Sequence, residues 1–169
     1  MRHLLFVLLL WSAAAAAQLP RNEEGLFELS QTIHVNRAAP DQLSKRARSF
    51  FDQPFLVHWD TVYQVPGAAH LIMKGEGYVD IRAKLRSIGS TRKVPVWFEF
   101  TLQVNENAYR YTINHFVVWK SVPDNSFPFE QRPESVRETV YDQLLQKTQK
   151  RISFITGWLK RYMDGGELK

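Results

Sequence analysis

Four histidines lie beyond the first seventeen residues, at His34, His58, His70 and His115. His34, His58 and Asp60 occupy the polar positions of segments with strand-like alternation. An imidazole beside a carboxylate is the raw material of a general base or of half a metal site. A sheet covered on one face shows such residues on its open side without any site, and neither metal-ligand spacing nor a nucleophile accompanies these three. Gly75, Glu76 and Gly77 form a GxG motif inside a strand-like run with no helix after it, so the phosphate cradle of a dinucleotide site is missing. The reading that fits is structural: the glycines let a helix approach the sheet or ease a bend. The sequence contains no Gly-x-Ser-x-Gly, no P-loop and no His-Glu-x-x-His. Without cysteine there is no thiol chemistry and no Cys-ligated zinc. No catalytic or metal-binding residue is assigned, and no cofactor is expected.

Residues suited to binding are easier to find. Lys84, Arg86, Arg92 and Lys93 flank a Gly-Ser-Thr loop and read either as an anion-docking finger or as a solvated loop. Trp97 sits on the otherwise polar side of its strand, and Phe127 and Phe129 lie in a proline-containing loop. Aromatic residues so placed are candidate interface anchors. The alternative is that all three pack at the sheet edge beneath the last helix.

The elements that must position these residues follow from periodicity. Arg2 and His3, an apolar stretch from Leu4 to Trp11 and small residues from Ser12 to Ala17 have the layout of a secretory leader. Cleavage is expected after Ala17. Leu4 to Ala17 spans fourteen residues, short of the roughly 18 to 20 that cross a bilayer. No later stretch is apolar enough to span, and a lipid anchor on the first mature residue would need a cysteine. The expected product is exported, periplasmic or secreted, and soluble. Its 152 residues suit one domain, which at this size needs no disulfide. Without Arg2 it carries 21 Lys and Arg against 17 Asp and Glu, a net charge of +4, too mild for a dedicated nucleic-acid binder.

Leu26 to Arg37 alternates as a half-buried strand. Pro40 and Asp41 suit a helix start; Leu43, Ala47, Phe50 and Phe51 follow at helical spacing, and the helix ends before Pro54. Four strand-like segments come next, at 55–65, 71–82, 94–104 and 109–120. The first is expected to turn Val57, Trp59, Tyr63 and Val65 inward. Asn105 to Asn107 reads as a hairpin turn. Ser135 and Glu138 have capping-box spacing, and a long helix is predicted over about 134–163, with a polar gap from Gln146 to Arg151 where it bends or overhangs the sheet. The fold class is α+β: one curved antiparallel sheet of about five strands in the order β-α-β-β-β-β-α, with a short helix and a long C-terminal helix on one face.

In this arrangement the chain resembles the exported bacterial family known as domain of unknown function 4468, described as TBP-like. The stretches that carry the resemblance are Leu43 to Phe50 (LSKRARSF), Leu71 to Gly77 (LIMKGEG) and Phe98 to Ile113 (FEFTLQVNENAYRYTI). The resemblance covers roughly His34 to Lys120. The hairpin turn departs from the pattern, with Asn105, Glu106 and Asn107 where a glycine is expected. The resemblance implies a fold and an exported setting, and brings no activity and no catalytic residues.

Two functions remain open: a non-catalytic exported binding or accessory module, whose partner would be another exported or envelope protein, and a helix-grip carrier of a small hydrophobic ligand. An enzyme without a local motif is a distant third. The inward positions are rich in Phe, Trp, Tyr and Leu, which favours a filled core over a cavity. Specific duplex binding is not expected, because the predicted open face carries Lys74, Arg82 and Arg110 against Glu28, Asp60, Glu76, Asp80 and Glu99.

Overall fold

The computed structural model describes residues 19–35, 38–84, 91–119 and 126–165. The segment read as a leader lies outside them. The element order is β1 (Leu29–His34), α1 (Pro40–Phe51), β2 (His58–Gln64), β3 (Leu71–Lys84), β4 (Thr91–Val104), β5 (Ala108–Val118), β6 (Phe127–Pro128) and α2 (Glu138–Met163). One antiparallel sheet runs β1-β5-β4-β3-β2, with the two-residue β6 added to β5. The α+β reading holds, with one short strand more than the periodicity predicted.

α1 starts with Pro40 in its first turn and Asp41 beside the N-terminal dipole, and it buries Leu43, Ala47, Phe50 and Phe51. Those positions, i, i+4, i+7 and i+8, form one stripe that lies on β3 and β4. α2 begins at Glu138, three residues after Ser135, and no side chain caps it. The predicted capping box is therefore replaced by a turn in which the Val136 N–H donates to Pro133 O at 2.9 Å.

Between Gln146 and Arg151 α2 stays unbroken, and its polar turn reaches over the sheet. Lys147 Nζ donates to Arg82 O, and Arg151 Nη2 donates to Phe55 O and Leu56 O. Beneath the helices Phe50, Phe98, Phe100, Tyr109, Tyr111, Ile113 and Phe116 meet Leu144, Ile152, Ile155 and Leu159, all sealed from solvent. Aromatic rings fill this layer, tilted or edge to face: Phe50 with Phe100 at 5.7 Å, Phe51 with Phe100 at 5.8 Å and Phe98 with Phe116 at 6.0 Å.

Two bulges change what alternation predicts. In β2 the register shifts between Trp59 and Thr61, so Asp60 has no partner residue on β3. One extra residue reverses parity beyond it. Val62 then opposes the buried Gly75 on the inner side, while Tyr63 opposes Lys74 and is 54 % exposed, which corrects the inward assignment of Tyr63. In β5 the shift lies opposite Trp97 to Glu99, and His115 has φ 53°, a left-handed backbone. Past it, Phe116 and Val118 point into the core and Val117 pairs with Trp97 on the outer side. This reversal is why the end of that segment looks apolar on both faces.

The hairpin between β4 and β5 needs no glycine. Asn105 N–H donates to Ala108 O at 2.8 Å, and among the described residues the non-glycine positions with positive φ are His115 and Trp119, so the turn uses ordinary backbone conformations.

Candidate functional site

β5 offers one long flank to two short partners. β1 pairs with Ala108 to Ile113 and β6 with Val117 and Val118, which leaves Asn114 and His115 without a strand on this flank. At this gap a concavity of about 580 Å³ opens, walled by Leu26, Val117 and Pro128 and rimmed by Glu23, Glu24, Glu28, Glu130, Asn114 and His115.

The outer wall is an N-terminal turn that the sequence folds locally. Asn22 Oδ1 accepts the N–H groups of Glu24 at 3.1 Å and Leu26 at 3.0 Å, and Gly25, at φ 79°, makes the reversal that a side chain would strain. Arg21 and Phe27 close the turn as a bridge, with the guanidinium 4.1 Å from the Phe27 ring centre. Glu130 Oε1 then accepts the Phe27 N–H at 2.8 Å, tying the turn to the chain beyond β6. His115 Nδ1 lies 3.2 Å from Glu99 Oε2, both side chains more than half exposed. The rim thus presents carboxylates above an apolar floor, an arrangement that receives a cationic group attached to an apolar body. Among the described residues no three His, Asp or Glu side chains are placed to hold a metal ion.

The structure disperses the residues that sequence reasoning put forward. His34 ends β1 and His58 begins β2, the two opposite edges of the sheet, with three strands between them or about 19 Å at the usual strand spacing. His58 and Asp60, which sits in the β2 bulge, line one concavity at the β2 edge, and His34 is not with them. His58 also stacks on Tyr78 at 4.8 Å, and Tyr78 lies 4.9 Å from Trp97. With Val117 and Pro128 these residues share one cross-strand row on the outer face, away from both helices. Trp97 therefore packs neither beneath the last helix nor as a lone anchor. Rings stacked on one another offer edges rather than faces, so the row stabilises the sheet by about 0.2–1 kcal/mol per pair more readily than it receives a planar ligand.

Phe127 and Phe129 are corrected as exposed anchors. Both are buried, Phe127 against Trp119 and Phe129 against Phe27, Phe116 and Tyr141. Of the basic group, Arg86 lies outside the described residues, as does the side chain of Lys84. Arg92 faces Ala83, whereas Lys93 sits opposite Arg82 and pairs with Asp80 at 3.5 Å. As consecutive strand residues the two point to opposite sides, which divides the expected finger.

The GxG motif is structural. A Cβ on Gly75 would stand 2.8 Å from the Phe51 ring, and one on Gly77 would stand 2.7 Å from His58 O. The missing side chains let α1 and β2 close on β3. Sequence reasoning did not find the concavity, although Asn22 and Gly25 at i and i+3 carried a turn signal.

Two solved structures are similar to this chain. A TBP-like protein from Parabacteroides distasonis ATCC 8503 matches with a TM-score of 0.63 and 10 % identity, over 88 % of this chain and 99 % of its own. A DUF4468 family protein from Bacteroides ovatus ATCC 8483 matches with a TM-score of 0.59 and 10 % identity, over 90 % of this chain and 93 % of its own. At that identity the likeness shows a TBP-like fold, in agreement with the resemblance read from the three sequence stretches. No family model and no curated protein matches the sequence.

Proposed function

We propose that the chain is a non-catalytic exported binding or accessory module, and that its partner, another exported or envelope protein, inserts a lysine or arginine side chain into the concavity beside β5. The observation that carries this reading is that four glutamates, Glu23, Glu24, Glu28 and Glu130, line one concavity together with the apolar side chains of Leu26, Val117 and Pro128. Charge and apolar contact then act on one group at once, which is how a small number of anchors dominates an interface. The carrier reading has less support, because aromatic side chains occupy the layer beneath α2 and the concavity lies elsewhere. Export rests on the leader-like first seventeen residues. N-terminal sequencing of exported material is expected to begin at Gln18; an intact Met1 would remove that part of the proposal.

The binding part is tested by titrating the isotope-labelled protein with a short Arg-Phe dipeptide amide blocked at its N-terminus. Backbone shifts are expected at Asn22 to Glu28 and Asn114 to Val117, weakened by the double variant Glu23→Gln, Glu24→Gln. Both residues are exposed and their carboxylates hold no fold contact among those described. Shifts confined to other surfaces, or indifferent to the double variant, would remove the assignment.

A further inference from the structure

The long helix is amphipathic in a second sense that its burial leaves unexplained. From Gln143 to Met163 it carries Lys147, Lys150, Arg151, Lys160 and Arg161 and not one carboxylate; the nearest along the chain are Asp142 and Asp164. Lys147, Arg151, Phe154, Trp158 and Arg161 follow one another at three- and four-residue spacing, and Lys150 stands four residues before Phe154, so the six line a single flank of α2 beside its buried stripe.

Contacts along that flank bear this out. The Arg151 guanidinium lies 5.4 Å from the Phe154 ring centre and that of Arg161 lies 5.2 Å from the Trp158 ring, while Phe154 and Trp158 are 6.5 Å apart. Phe55, from the segment that joins α1 to β2, packs on Trp158 at 5.4 Å. Arg151 holds that segment by donating to Phe55 O and Leu56 O. Phe55 is 52 % exposed and Phe154 46 % exposed, two of the most exposed large apolar side chains among the described residues.

We infer that this flank of α2, with Phe55 beside it, docks on the headgroup layer of an anionic phospholipid bilayer. Cations interleaved with protruding aromatic rings suit that layer, where the rings enter the boundary of the acyl chains and the cations meet lipid phosphates. The flank is a helix surface, and the concavity described above is built from other residues, so the partner is a soft plane rather than an inserted segment. No helix among the described residues is long and apolar enough to cross a membrane, and docking of this kind requires none. The docking surface belongs to the helix side of the sheet and does not depend on the proposed β5 concavity, whose outer-face residues are Asn114 and Val117.

Co-sedimentation of the purified protein with vesicles of phosphatidylglycerol and phosphatidylethanolamine, against vesicles of phosphatidylcholine alone, tests the inference. Binding is expected to the anionic vesicles only and to fall as salt is added. At about 1 kcal/mol per cation near the surface, reversing one charge with Lys150→Glu is expected to weaken it about thirtyfold. Phe154→Ser is expected to weaken it roughly tenfold, and Lys74→Glu, on the opposite side of the sheet, to leave it unchanged. Tryptophan emission is expected to shift to the blue on binding, and the shift to shrink in Trp158→Phe. The inference is overturned by absence of binding at low salt, by binding indifferent to both flank variants, or by capture of duplex DNA or polyglutamate while the anionic vesicles stay free.

Discussion

Gly77→Ala adds one methyl group on β3 opposite Trp59 of β2. The new carbon would stand 2.7 Å from His58 O and 2.9 Å from both Trp59 Cε3 and Val57 Cγ1, whereas ordinary contacts begin near 3.4 Å. Relief requires the backbone of β2 to withdraw by about 0.7 Å, because a carbonyl cannot rotate aside as a side chain does. Overpacking of this kind costs about 1–3 kcal/mol. The reduced freedom of the unfolded chain returns about 0.4–1 kcal/mol. The net loss is about 1–2 kcal/mol, a fall in Tm of about 2–8 °C for a domain of this size.

Gly157→Ala is the matched control, since that glycine is inside α2 and an added Cβ meets nothing within 4 Å. There the better helix propensity of alanine, about 1 kcal/mol, is expected to raise Tm by about 2–4 °C. Thermal and urea unfolding followed by circular dichroism measures both. A neutral or stabilising Gly77→Ala would show that β2 does not lie where the register puts it.

Thr148 is fully buried and its hydroxyl has no hydrogen-bond partner, so Thr148→Val is expected to raise the urea midpoint, by about 1 kcal/mol in stability. Burial raises the Tyr109 phenol above its ordinary 10.0, helped by the nearby Asp164 carboxylate, and burial also raises Tyr111. A folded-state pKa above the unfolded one gives stability that is complete below pH 10 and drains away as pH rises toward the folded value; the urea midpoint is expected to fall above pH 10, and Tyr109→Phe to flatten that fall. Duplex DNA is expected to bind weakly and only at low salt; sub-micromolar affinity at physiological salt, lost in Trp97→Ala, would show that the outer face has been misread.

What the sequence determined by itself is the set of elements and most of their faces. Leu43, Ala47, Phe50 and Phe51 select one side of α1, and Val94 to Val104 alternates without interruption, because both signals depend on local geometry that repeats every 3.6 or two residues. The role of Gly75 and Gly77 was legible for a similar reason: no helix followed them.

Only the tertiary structure decided which residues meet. Single-residue bulges at Asp60 and His115 reverse the parity of everything beyond them; the alternation gives way to an apolar run after His115 and carries no mark at Asp60. They turned Tyr63 outward and put Val117 on the row with Trp97. The pairing of β1 with β5, across some eighty residues of chain, separated His34 from His58 and opened the gap beside Asn114 and His115. Phe127 and Phe129 were assigned to a loop, yet the edge pairing of β6 carries them into the core. Periodicity reports the face of a residue relative to its own segment; strand order and register bring segments together, and those are set by the packing of the whole chain.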